Sequence, residues 1–501
     1  MKLEERVTLA KSQVKELYLE DDLPWIVGFS GGKDSTTVLQ LVWDSVAEIP
    51  EEKRTKAIHV ISTDTLVENP AVSALVQLSL VSINVRSKEL RMKIQAHALT
   101  PALEDRFWVN LIGRGYPAPR PKFRWCTSRL KINPSTKFLR DLSEHTEAIL
   151  FLGTRSSESD ARRQSMERHK GSTRALLSKN GDASLDRVWI FPLIGDWDNG
   201  DVWEYLLTYK NPWRDVSAND KNNPDGNSNL ELFELYKGAT PDAECPLVVD
   251  TNTPSCGDSR FGCYVCTMVD KDKSLSAMIT NVEDKKWMIP LAEFREKSLP
   301  TDDDFKFRDF RRMDGNLTVF SRATDVKGER VNALVHGPYT QEYREKLLRD
   351  LLTAQTLIRR DAPAGLENFQ TISMEEIEEI RRIWIEEKHE IEDSVPLIYE
   401  EVTGEAYPAA RKDYRSLFGI EELELLKQIC TDSSDPGNVH YRMLREMLHI
   451  EQSYKGASRR VGIYELLEKS LKKHAFVKES DALEFALSKK DPSELEEEVA
   501  K

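Results

Sequence analysis

The sequence predicts an α/β fold with a mainly parallel sheet, followed by a cysteine-rich segment and a largely helical C-terminal region. Three observations carry that reading. Short β-branched runs alternate with helix-period stretches up to residue 206. A Gly-Gly pair sits between the first such run and the next helix. From residue 371 the apolar residues recur at helical spacing in acidic text. Strands alternating with helices indicate βαβ units and a parallel sheet.

Each element follows in order. Residues 3–20 form a charged amphipathic pattern, read as an opening helix. WIVGFS (25–30) reads as a short buried strand, followed by Gly31-Gly32 and the helical DSTTVLQLVWDSV. KAIHVIST (56–63) is a second strand, ending at Asp64. VSINVR (81–86) reads as a third strand, and residues 87–113 as a helical pattern. EAILFLGTR (147–155) and VWIFPLI (188–194) are further strands. Ligands of parallel sheets bind beyond the carboxyl ends of the strands. The loops at 30–35, 64–68 and 153–162 all follow a strand. SANDKNNPDGNSN (217–229) is loop chemistry, and MEEIEEIRRIWIEEKHEI places Ile377, Ile380 and Trp384 on one helical face. The expected divisions are 1–215, 216–275 (cysteine-rich), 276–370 (mixed) and 371–501 (acidic, helical).

Charge narrows the functional classes. The 501 residues carry a net charge of −14, which alone argues against a simple nucleic-acid binder. The distribution reverses that inference. Residues 1–360 hold 52 basic and 53 acidic side chains, residues 361–501 hold 19 and 32, and residues 86–140 hold 13 and 3. A strongly basic stretch is therefore embedded in an acidic chain. No apolar run of ~18 residues predicts a membrane span, and the N-terminus lacks a signal-peptide pattern. A cytoplasmic location is expected, where disulfides are rare.

SGGKDS (30–35) places small residues where backbone N–H groups converge on phosphate oxygens at a helix N-terminus. The spacing is not that of a Walker A loop. A plain strand-to-helix turn is the competing reading. Four of the six cysteines, Cys245, Cys256, Cys263 and Cys266, have the spacing C-x10-C-x6-C-x2-C. Four thiolates bind zinc or a [4Fe–4S] cluster, and the spacing alone leaves both open. Cys126 stands apart, beside Arg124, Arg129 and Lys131, whose charges are expected to lower its thiol pKa. Cys430 reads as packing.

SGGKDS resembles the pyrophosphatase loop (PP-loop) of the adenine nucleotide alpha hydrolase superfamily. Asp64 in ISTDTLVENP resembles the Asp-Thr-Gly site of 3′-phosphoadenylylsulfate (PAPS) reductase-like proteins, with Leu66 in place of the glycine. GTRSSESDAR (153–162) and FPLIGDWDNGDVWEYL (191–206) resemble two further motifs of those proteins. The resemblance implies cleavage of ATP between its α- and β-phosphates. It implies that Ser30, Gly31, Gly32 and Ser35 hold pyrophosphate and that Lys33 adds charge. Asp34 would orient the loop or a Mg2+ ion, Arg155 and Arg162 would clamp phosphate, and Asp64 and Glu158 would complete the nucleotide site.

LIGRGYPAPRPKFRWCTSRLKI (111–132), SRFGCYVCTMVDKDKSL (259–275) and HGPYTQEYREKLLRDLL (336–352) are similar to the DndC-type family of DNA phosphorothioation. That resemblance implies a [4Fe–4S] cluster on the four clustered cysteines. It implies ATP pyrophosphatase and sulfurtransferase activity, with DNA, a cysteine desulfurase and other phosphorothioation proteins as partners. Lys33, Asp34 and Cys126 are the expected catalytic residues, with sulfur passed by Cys126 or by the cluster. Two rival expectations are a PAPS or adenylylsulfate reductase, whose E-C-G-x-H motif the sequence lacks, and a nucleotide-binding scaffold of a modification complex.

Overall fold

The computed structural model describes residues 2–121, 123–155, 177–214, 226–240, 261–299, 304–323, 330–363, 366, 368–408, 420–432, 438–455 and 459–489. The chain divides into two compact units. One comprises residues 1–102 and 121–292, the other residues 103–120 and 293–501.

The first unit is built on a six-stranded sheet. Its opening helix, α1 (Leu3–Glu20), buries Val7, Ala10, Val14, Leu17 and Tyr18, an i, i+3, i+4 stripe. Strand β1 (Trp25–Gly28) leads to α2 (Lys33–Ala47). Strand β2 (Ile58–Thr63) leads to α3 (Pro70–Glu89), and β3 (Ile94–Leu99) follows. After α4 (Asn133–Ser143) come β4 (Ala148–Phe151), the short β5 (Ser178–Lys179) and β6 (Val188–Phe191). Helices α5 (Asn199–Thr208), α6 (Asn229–Gly238) and α7 (Lys273–Asn281) follow.

The sheet order is β3-β2-β1-β4-β6-β5. All pairings are parallel except β5 with β6. Val27 lies opposite Val60 on one side and Phe151 on the other. Trp25, Ile26 and Val27 are fully buried, as a strand covered on both faces requires. Strand β1 is central, so the loop leaving its carboxyl end opens where the order runs outward in both directions. That is the binding crevice of such sheets.

Two elements differ from the sequence expectation. Residues 81–86 are not a strand but the last third of α3, and residues 94–99 are not helical but strand β3. Valine and isoleucine content points to a strand at 81–86. The burial pattern instead runs Val72, Val76, Leu80, Ile83 and Ser87, which is helical. Asn69 caps that helix by accepting the Ala71 N–H at 3.0 Å, with Pro70 in the first turn. In β3 the buried Ile94 and Ala96 alternate with more exposed Gln95 and His97, a period of two in text poor in β-branched residues.

The second unit is mainly helical. It holds an antiparallel pair, β7 (Val319–Ala323) and β8 (Arg330–Leu334). Its helices are α8 (Gln341–Asp361), α9 (Met374–Arg382), α10 (Ser394–Thr403), α11 (Ile420–Asp432), α12 (Val439–Ser453), α13 (Ile463–Lys473) and α14 (Glu479–Ser488). Ile377, Ile380 and Trp384 are buried, as their spacing predicts. Residues 103–120 are threaded into this core. The Trp108 indole donates to the Thr371 carbonyl at 2.7 Å, and the Trp384 indole to that of Ile112 at 3.1 Å. Among the described residues no helix is long and apolar enough to cross a membrane.

Candidate functional site

The site begins where β1 leaves the sheet. The Phe29 N–H makes the last ladder bond, to the Ile61 carbonyl at 2.8 Å. Gly31 then turns with φ +72°, and a Cβ there would lie 2.4 Å from Cγ2 of Val76 in α3. Only glycine meets both conditions. The loop folds around Ser35. Its hydroxyl accepts the Ser30 N–H at 3.2 Å, donates to the Gly32 carbonyl at 3.0 Å, and lies 3.2 Å from the Ser30 hydroxyl. Gly32 caps α2 without a side chain, so the first-turn N–H groups are left facing the loop. The partial positive charge of that helix end adds to them.

Charged side chains converge on the same turn. Lys33 Nζ lies 3.3 Å from Asp34 Oδ2, and Arg155 Nε donates to Asp34 Oδ1 at 2.7 Å. Lys33 is buried rather than solvated. Arg155 arrives from the loop after β4, positioned by Gly153. A Cβ at Gly153 would lie 2.9 Å from the Asp34 carbonyl carbon and 3.0 Å from the Ser35 nitrogen. Ser30, Gly31, Gly32, Lys33, Asp34, Ser35 and Arg155 are therefore brought together. Both Asp34 oxygens are engaged by cations, which suits a loop-orienting role better than metal ligation. Glu158 and Arg162 lie outside the described residues.

Asp64 ends β2 at the same edge of the sheet. Its Oδ1 accepts the Leu66 N–H at 2.8 Å, and its Oδ2 accepts from Gln77 at 3.3 Å. Leu66 has φ +63°, a left-handed conformation that a branched side chain adopts at a cost. The position asks for glycine and holds leucine.

The next residues of that loop carry thiols. Glu68 pairs with Cys263 in an antiparallel bridge, and Tyr264 N–H donates to the Val67 carbonyl at 3.1 Å. The Thr65 hydroxyl lies 3.4 Å from the Cys263 sulfur. Cys266 N–H donates to the Cys263 carbonyl at 2.9 Å, closing a tight turn. Cys126 precedes a π-helical turn, Thr127–Ile132, which carries Lys131. Lys131 Nζ lies 3.7 Å from Glu68 Oε1. Burial opposes the lysine charge, but Cys263, Glu68, Cys126 and Cys266 outweigh it and raise the Lys131 pKa. Burial pushes the Cys263 thiol up to about 11, with Lys131 working against it.

The expected activation of Cys126 is not found. Burial pushes its thiol up, and nearby Cys266 adds to the rise. What sequence reading missed is that Cys126 shares surroundings with Cys263 and Cys266. More than 130 residues separate them, and no local pattern signals it. Cys245 and Cys256 lie outside the described residues. A Cys-x2-Cys turn beside a lysine fits half of a thiolate set for zinc or an iron–sulfur group. Among the described residues no three His, Cys, Asp or Glu side chains are placed to hold a metal ion, so the set is incomplete there. Cys430 is buried in α11, as packing predicts.

The basic stretch 86–140 does not form one block. Arg106, Arg114 and Arg120 belong to the second unit and the remainder to the first. Several of its charges are already paired, Arg86 with Glu89, Arg91 with Glu51 and Arg106 with Glu375.

Over 200 residues the chain is 27% identical to an uncharacterized protein of Methanocaldococcus jannaschii, covering 40% of this chain and 35% of that protein. The chain thus spans about a third of the length of this curated relative. Residues 24–268 match the phosphoadenosine phosphosulfate reductase domain. With the glycine loop at the carboxyl end of the central parallel strand, this match supports a PAPS reductase-like PP-loop domain in that part of the chain.

Proposed function

We propose that the protein is the DndC-type sulfurtransferase of DNA phosphorothioation. One observation carries this reading. The glycine loop after β1 and the Cys263 turn held by the loop after β2 lie at the same edge of the sheet, because β1 and β2 are parallel neighbours. Phosphate chemistry and sulfur are thereby served by one unit.

In this reading the loop holds the β- and γ-phosphates of ATP. A DNA phosphodiester oxygen attacks the α-phosphorus, pyrophosphate leaves, and the DNA phosphate carries AMP. The first-turn N–H groups, Lys33 and Arg155 stabilise the charge that builds on pyrophosphate. A cysteine desulfurase delivers sulfur as a persulfide on Cys126. Its terminal sulfur attacks the DNA phosphorus, and AMP leaves with the oxygen. A thiol then breaks the S–S bond, leaving phosphorothioate and a disulfide. A [4Fe–4S] cluster on Cys245, Cys256, Cys263 and Cys266 would supply redox chemistry, and Mg2+ would screen phosphate charge. DNA, the desulfurase and other phosphorothioation proteins are the partners. The near-neutral charge of residues 1–360 predicts weak DNA binding by this chain alone.

Mass spectrometry of nuclease-digested DNA, from cells with and without the protein, tests the reading. Sulfur-containing dinucleotides should vanish with Lys33→Ala and with Cys126→Ser. The latter should retain pyrophosphate release in vitro. Undiminished dinucleotides in the Lys33→Ala strain overturn it. A second reading, PAPS reduction, rests on the same domain match. Sulfite release from PAPS and thioredoxin would support that instead.

A further inference from the structure

Tyr236, in α6, is far in sequence from every loop motif. Its ring is wedged between Trp203, at a centroid distance of 5.1 Å, and Phe261, at 4.7 Å. Only 5% of the residue is exposed. Its hydroxyl accepts the Lys33 backbone N–H at 3.4 Å. A Cβ on Gly32 would lie 3.3 Å from the same oxygen, so glycine leaves the hydroxyl its place over the start of α2. Lys33 Nζ stands 5.5 Å from the ring centroid.

A tyrosine hydroxyl has one proton to give and two lone pairs. Here a lone pair is used, and among the described residues the proton has no acceptor. A buried donor without an acceptor is costly. Its oxygen lies over the start of α2, where the described loop presents its backbone N–H groups.

We propose that the Tyr236 hydroxyl is a wall of the phosphate loop and donates its proton to an oxygen of bound pyrophosphate, or of the β,γ-phosphates of a nucleotide. This rests on the nucleotide reading above and adds a contact to it. In the free protein the hydroxyl oxygen occupies the Lys33 N–H. A phosphate oxygen, a stronger acceptor, takes that N–H and receives the O–H as well. Burial pushes the phenol up to about 12, so the donor keeps its proton across the physiological range. Because charge grows on pyrophosphate as the α–β bond breaks, the contact strengthens along the reaction.

Titration calorimetry of the full-length protein with inorganic pyrophosphate tests this. Tyr236→Phe keeps the ring and its two aromatic neighbours. It should bind pyrophosphate about tenfold to a hundredfold more weakly. Removing the hydroxyl frees the Lys33 N–H but also removes the unmatched O–H, so the ligand-free melting temperature should change little. A lowered melting temperature with wild-type pyrophosphate affinity marks a purely structural role and overturns the inference. Wild-type affinity in Tyr236→Phe overturns the inference while leaving the nucleotide reading intact. Absence of pyrophosphate and ATP binding by the wild type overturns both. Should the phenylalanine variant not fold, 2,3-difluorotyrosine at the same position replaces it. Affinity must then be lost at a lower pH than in wild type, and superimposable pH profiles overturn the inference.

Discussion

Gly153→Ala probes how closely the loop after β4 must approach the start of α2. The added Cβ would lie 2.9 Å from the Asp34 carbonyl carbon and 3.0 Å from both the Asp34 oxygen and the Ser35 nitrogen. These are backbone atoms of the first helical turn, so no side chain can rotate away. Carbon contacts are comfortable at about 3.5–4.0 Å. The two loops must therefore part by roughly 0.6–1 Å. Overpacking of this kind costs about 1–3 kcal/mol. The separation also pulls Arg155 from Asp34, a contact of 2.7 Å. Displacements near 1 Å in a reacting site lower rates by up to about a hundredfold. Gly262→Ala is the matched control, because among the described residues its Cβ would meet nothing within 4 Å. It should shift stability by no more than about 0.5 kcal/mol. Denaturant unfolding and pyrophosphate release are measured for wild type and both variants. Gly153→Ala that unfolds and turns over like Gly262→Ala would refute the close approach and the positioning of Arg155 derived from it.

Two further outcomes follow from strained or buried groups. Leu66→Gly should leave stability unchanged or raise it by up to about 1 kcal/mol, since release of the left-handed strain offsets the greater chain entropy. A larger loss in denaturant unfolding counts against strain at φ +63°. In the second unit His389 Nδ1 lies 2.7 Å from His449 Nδ1, and burial pushes the His389 pKa down to about 4. The folded state therefore holds this imidazole neutral while the unfolded chain protonates it near pH 6.5. Its contribution is complete above pH 6.5 and is lost as pH falls toward 4, by at most about 3 kcal/mol. His389→Gln should flatten that part of the stability–pH curve, and an unchanged slope would refute the assignment.

Much of the site was legible because its signals are local. β1, β4 and β6 are almost wholly buried and read as continuous apolar runs. The Gly31-Gly32 pair states a backbone requirement that no other residue satisfies. What stayed hidden depends on distant partners. The exchange of strand and helix between 81–86 and 94–99 arose because β-branched composition outvoted periodicity. Cys126 reads as an activated thiol from its cationic neighbours, yet burial decides its pKa, and burial is a tertiary property. Lys33 is ordinary as a lysine and unusual only as a buried one. Tyr236 sits in NLELFELYKG, where an aromatic on a helix face reads as core.

The threading of residues 103–120 into the second unit bears on how the chain can be cut and made. Phe107, Trp108, Val109, Leu111 and Ile112 are almost fully buried. Their described partners, Phe294, Thr371 and Trp384, come from beyond residue 292. A fragment ending at 292 strips this apolar segment of its cover, so the first unit is not obtained cleanly by truncation. On the ribosome the same five side chains wait through the synthesis of more than 250 residues before Trp384 emerges. Through that interval a chaperone has apolar surface to shield.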